Sequence, residues 1–138
     1  MKAKEYLSQI VYLDARIEAL EEKIRPLRER AMNTAVNMSP DRVQAGSAGD
    51  KIAEAVASYS DLEIELESLK RRREDISSVL KLIPAYQSAV LHKVYVDDLK
   101  IKEAARELRR SYSWAAKVHT QALASVQRIL NKREKTEK

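Results

Sequence analysis

A chain of 138 residues without cysteine has room for one domain, or one with an extension, and excludes disulfides, a thiolate nucleophile and cysteine-held zinc. No apolar run reads as a signal peptide or reaches the ~20 residues of a membrane span, so a soluble, cytoplasmic protein with no membrane partner is expected. The net charge of +5 is uneven: residues 84–138 hold 12 Lys and Arg against 6 Asp and Glu, and residues 50–83 hold 6 against 8, as expected if only the C-terminal part meets a polyanion.

Two glycines, three prolines and no Phe, beside abundant Ala, Leu, Glu, Lys and Arg, predict an all-α fold. In the first helix Ile10, Leu13, Ile17, Leu20, Ile24 and Leu27 recur at alternating spacings of three and four. That is the narrow seam of a coiled coil. Pro26 lacks the amide that would bond to Glu22, so a kink or an early helix end is expected there. Residues 33–49 lose the periodicity and read as a loop.

Asp50 then offers an N-cap for a second helix reaching about Ile83. Its seam runs through Ile52, Tyr59, Leu66, Arg73 and Leu80 and through Ala55, Leu62, Leu69, Ile76 and Ile83. Only Arg73 is not apolar. Residues 1–83 are therefore expected to form a long antiparallel coiled-coil hairpin. A two-helix hairpin buries little, so its remaining apolar side calls for a homodimer partner or for the C-terminal module. The charged run Lys70–Arg73 points in four directions about 100° apart and is flanked by acids, which predicts an ion-paired surface.

Pro84 suits the first turn of a new helix. Val90, Leu91, Val94 and Tyr95 give it an apolar side, and Asp97-Asp98 end it. A second short helix follows from Leu99 to about Leu108, with Ala104, Ala105 and Leu108 inward. After the connector Arg109–Ser111, Ser111 or Ser113 caps a last helix reaching about Asn131. Its stripe Ala115, Val118, Ala122, Val126 and Ile129 is expected to be buried, with Ser113, Ala116, Lys117, Thr120 and Ala124 on the other side. Two short helices across a tight turn, the second polar outward, are the ingredients of a helix-turn-helix over residues 84–131. Residues 132–138 are left as a charged tail.

On that reading Tyr112, Ser113, Lys117, Thr120 and Gln121 are the candidates for base contact. Lys donates to guanine, Gln pairs with adenine, and Ser or Thr serves either. Lys100, Lys102, Arg106, Arg109 and Arg110 are the phosphate candidates. Trp114 stacks on the DNA backbone or packs on the preceding helix. His92 and His119 lack companions at ligand spacing, so no metal is expected. There is no Gly-rich phosphate loop, no nucleophile elbow and no zinc-spaced histidine pair, so neither an enzyme, a cofactor nor a small-molecule substrate is expected.

The run Leu99–Leu123 resembles region four of bacterial sigma factors at Leu99, Ile101, Glu103, Ala105, Leu108, Ser111, Ala122 and Leu123. Over nearly its full length the chain resembles phage and prophage proteins of the domain of unknown function 1492 family, related to late-operon activators of the ArpU type. Lys4–Leu7, Leu13–Ile17, Ser111, Trp114, Lys117, His119 and Ala122-Leu123 carry that likeness. It implies a regulator of phage late genes in a bacterial host, binding double-stranded DNA and in some cases host RNA polymerase. The alternative it leaves is a polymerase-binding or other protein-interaction module that reads no DNA itself. Arg109 stands where the sigma pattern has Gly, Ala115 where it has a larger apolar residue, and Tyr112-Ser113 where it has Arg-Glu. Recognition of a standard promoter element is therefore not implied.

Overall fold

The structure is a computed structural model that describes residues 1–37 and 47–137. Those residues are all-helical: α1 spans Ala3–Asn37, α2 Ser47–Leu82, α3 Ala85–Leu91, α4 Ile101–Glu107 and α5 Tyr112–Glu137, with a π-helical turn at His92–Val96. Among the described residues there is no strand and no helix long and apolar enough to cross a membrane.

Several expected boundaries are corrected. α1 passes through Pro26 and continues to Asn37. Glu22 and Pro26 are both exposed, so the carbonyl left without its amide lies on the solvent side. α2 already begins at Ser47, ahead of the expected cap Asp50. The expected loop 33–49 is thus shorter at both ends, and its residues 38–46 lie outside the described residues. The expected charged tail is helical as far as Glu137, because nothing after Asn131 breaks the helix of strong helix formers.

The chain divides into two compact units, and the division differs from a boundary at Pro84. One unit is Ala15–Arg71; the other joins Met1–Asp14 to Arg72–Lys138. In the unit Ala15–Arg71, Leu20 and Ile24 of α1 are buried with Leu66 of α2, and Ile17, Tyr59, Leu62 and Leu69 pack around them. These are seam positions of both helices. Ion pairs flank them: Arg16 to Glu65 at 2.8 Å, Lys70 to Glu21 at 3.2 Å, and Arg28 to Glu63. Arg71 pairs with Glu67 one turn away, so two members of the Lys70–Arg73 run are ion-paired within this unit.

In the other unit Leu7, Ile10 and Leu13 of α1, Ile76, Val79 and Leu80 of α2, and Val90 and Leu91 of α3 are buried. Arg73, the polar interruption of the α2 seam, gives its Nε to Asp14 at 2.8 Å and its Nη1 to Ser77 at 2.7 Å. A charge at a seam position is thereby matched by a carboxylate and a hydroxyl. Tyr6 donates to Asp75 at 2.5 Å, and Arg133 reaches both oxygens of the same carboxylate at 3.0 Å. Burial, with Asp75 beside it, pushes the Tyr6 phenol well above its ordinary value. Gln87, the buried polar residue of α3, accepts from Ser125 of α5 at 2.7 Å, so its oxygen is satisfied where α3 packs on α5.

The segment after α3 widens into a π-helical turn, in which the Asp97 amide bonds back to the His92 carbonyl at 3.0 Å. Asp98 then takes a positive φ of 55°, ending the helix at the expected aspartate pair. Asp tolerates that region better than most residues. Lys93 reaches Glu107 at 3.1 Å and Asp97 at 3.5 Å, tying the π-helical turn to α4. Those carboxylates, Glu107 foremost, push its ammonium above the ordinary value.

The turn from α4 to α5 is closed by backbone bonds. The Arg110 amide bonds to the Ala105 carbonyl at 2.9 Å, and the Arg109 amide to Arg106 at 3.1 Å, with Arg109 at φ 57°. This is a Schellman closure, which places its left-handed residue at the position where glycine costs least. Replacing Arg109 by Gly is expected to relieve ~1–2 kcal/mol of strain against ~0.4–1 kcal/mol of added unfolded-state entropy. The urea midpoint of Arg109→Gly should therefore rise, by about 0.5–1 kcal/mol in unfolding free energy.

Candidate nucleic-acid interface

α4 and α5 meet through small side chains. Ala104 and Ala105 on α4 and Ala115 and Ala122 on α5 are all at most 3% exposed. Without bulk at these positions the two backbones approach closely, and α5 is held by one flank. The rest of the flank is Val118, Val126 and Leu130, all buried, while Ile129 is only half-buried. The stripe therefore closes with a step of four rather than the expected three, onto Leu130.

The N-terminus of α5 is capped by Ser111, whose Oγ accepts from the Trp114 amide at 3.1 Å. The hydroxyl satisfies one of the helix's otherwise unpaired first amides, as expected for Ser111. Trp114 is half-buried, with the Arg110 guanidinium over its ring at 5.2 Å. The cation and the ring brace each other at the entrance to the helix.

With one flank buried, the other is presented outward. Tyr112, Ser113, Lys117, Thr120 and Gln121 are all exposed, and Thr120 folds its hydroxyl back to the Ala116 carbonyl at 3.2 Å. Ser113, Lys117, Thr120 and Gln121 recur at helical spacing and share one face; Tyr112 stands at its edge, bordering a cleft. Lys100, Lys102, Arg106, Arg109 and Arg110 are exposed as well. None of these five, nor Lys117, takes part in an ion pair among the described residues, whereas Lys70, Arg71, Arg73, Lys93 and Arg133 are all paired. Six exposed, unpaired cations are therefore gathered around α4 and the start of α5, free to meet an external anion.

Arg128 was not among the expected contacts. It lies eleven residues after Lys117, three helical turns on, is exposed, and continues the same face. The signal was present in the spacing.

His119 sits beside the buried flank and stacks on Tyr95, with ring centroids 5.7 Å apart and the Tyr95 hydroxyl 3.0 Å from Nε2. Burial, and to a lesser degree the Lys4 charge, hold the imidazole below its ordinary value of 6.5. As pH falls, the unfolded chain therefore takes up a proton on His119 that the folded chain resists. The stability tied to neutral His119 is complete above pH 6.5 and drains away as pH falls below that value. Urea midpoints measured at neutral and mildly acidic pH should show this decline, and His119→Gln should flatten it.

No family model, no curated protein and no solved structure matches this chain.

Proposed function

We propose that this protein is a non-enzymatic DNA-binding regulator of transcription, and that α4, its turn and α5 act as a sigma region-four-like helix-turn-helix. In this reading the outer face of α5 enters a major groove, where Ser113, Lys117, Thr120 and Gln121 reach base edges and Tyr112 stands at the entrance. Lys100, Lys102, Arg106, Arg109 and Arg110 hold phosphates on either side and set the register.

The observation that carries the proposal is a cluster: Lys100, Lys102, Arg106, Arg109, Arg110 and Lys117 are all exposed around one outward helical face, and none of the six has an acidic partner among the described residues. Unpaired surface cations are the ones whose counterions a polyanion can release. The resemblance of Leu99–Leu123 to sigma region four, and of the chain to phage late-operon activators, supports reading it as a regulator of phage genes acting in a bacterial cytoplasm.

The two long helices of residues 1–83 serve as a coiled-coil hairpin in this proposal, and as the dimer contact. Ile64, 69% exposed, and Val56, 42% exposed, offer apolar surface for a second copy.

Selection from a random duplex pool with the full chain tests the reading. Enrichment of one motif supports it, and a palindrome would give the dimer's half-site spacing. Failure to enrich or retard any duplex, with co-purification of RNA polymerase instead, would replace DNA reading by a protein-docking role.

A further inference from the structure

Beside the start of α5 lies an open cleft of about 760 Å³. That volume suits a small organic ligand. Its sides come from the beginning of α1, the end of the π-helical turn and the approach to α4. Val94, Leu99 and Ile101 line it as half-buried apolar groups. At its mouth stand Tyr12, 77% exposed, and Tyr112, 59% exposed. Two aromatic rings held in water beside an apolar recess lose unfavourable hydration when a ligand covers them.

The charge around the recess is one-sided. Lys4, Lys100 and Lys102 border it against the single carboxylate of Asp98. None of the three lysines is in an ion pair among the described residues. An apolar floor asks for an apolar body, and an excess of two ammonium groups asks for a negative end. Lys4, Ser8, Val11 and Tyr12 of α1 form one side, and the short stretch Asp98–Lys102 forms the other, a recess whose volume and paired apolar and cationic lining suit a compact amphipathic anion.

We infer that this cleft binds a small amphipathic carboxylate, with an aromatic or branched apolar body, and that its occupancy releases DNA. The second part rests on the proposed DNA reading. Lys100 and Lys102 border the cleft and also serve as phosphate contacts in that reading, and Tyr112 stands at the entrance to the reading face. A carboxylate lodged between the lysines neutralises charge that a phosphate would otherwise use. A ligand that binds only the DNA-free form shifts the equilibrium by its own differential affinity.

The test uses 2-naphthoate as the probe and neutral 2-naphthalenemethanol as its isostere, added to the isotope-labelled full chain without DNA. Amide shifts should saturate at one probe per chain and centre on Tyr12, Leu99–Lys102 and Tyr112. The alcohol should bind at least about ten-fold more weakly. Lys100→Gln with Lys102→Gln, both on the exposed surface, should bring naphthoate down to the level of the alcohol, and Lys135→Gln should not. Equal binding of acid and alcohol, or shifts scattered over the surface, would overturn the site. In a second arm, saturating naphthoate should weaken retention of a selected duplex by about ten-fold. Unchanged retention with intact naphthoate binding would overturn the competition. Absence of any duplex binding would sink the DNA reading itself, and the first arm would still decide the ligand site.

Discussion

Leu91→Ala should lower the unfolding free energy by about 2–5 kcal/mol, the range for emptying a fully buried leucine position. Leu91 is 0% exposed, at the junction where α3 passes into the π-helical turn. Beside it Val90 is also 0% exposed, and α3 packs along α5. Truncation would leave a hole where the wall cannot collapse without moving the turn that carries Tyr95 and Lys93. A loss of that size is a large fraction of the stability of a small unit. Urea denaturation followed by far-ultraviolet circular dichroism checks it, since every described element is helical. A midpoint unchanged from the parent would mean that α3 contributes little to this unit.

Lys117→Glu should reduce affinity for a selected duplex by about 100-fold or more while leaving the urea midpoint within about 0.5 kcal/mol of the parent. Lys117 lies at the middle of the outward face of α5, is exposed and has no acidic partner. Losing its ammonium removes a donor worth ~1–3 kcal/mol to a guanine edge. The introduced carboxylate adds repulsion from phosphates on both sides of the groove. Lys81→Glu makes the same change of charge at an exposed position of α2, outside α4 and α5. It should weaken binding several-fold less when both are measured by gel retardation at one salt concentration.

Stability and affinity respond to different parts of the molecule, and those parts are not equally readable in the chain. Helical class follows from composition, and the seam positions Leu20, Ile24 and Leu66 and the buried alanines of α4 and α5 follow from periodicity. That signal is strong because each turn repeats it. Pro26 misled because its cost depends on where the freed carbonyl points, and on an exposed side water accepts the loss. The true helix start at Ser47 was hidden because several consecutive residues there can serve as a helix start. Periodicity placed Arg73 on the seam but could not name Asp14 as its partner, since the two are 59 positions apart.

The same limit applies to the site. The outward face of α5 was legible, and its continuation to Arg128 was legible in principle. The Schellman closure was foreshadowed by Arg109 standing at a position that favours glycine. The stack of Tyr95 on His119 and the cleft bordered by Lys4 depend on segments distant in sequence, and no local pattern announces them. Likewise, which lysines remain unpaired can be decided only once the acidic residues have been placed.

The salt dependence of duplex binding by the full chain tests the central claim most directly. Each phosphate neutralised contributes a slope of about −0.9 in log affinity against log salt. With five flanking cations engaged, the slope between about 50 and 200 mM salt should lie near −4 to −5. Arg106→Gln combined with Arg110→Gln should make it shallower by about two units. A flat line, or a slope that the double substitution does not alter, would contradict the assignment of these residues to the phosphates of a bound duplex.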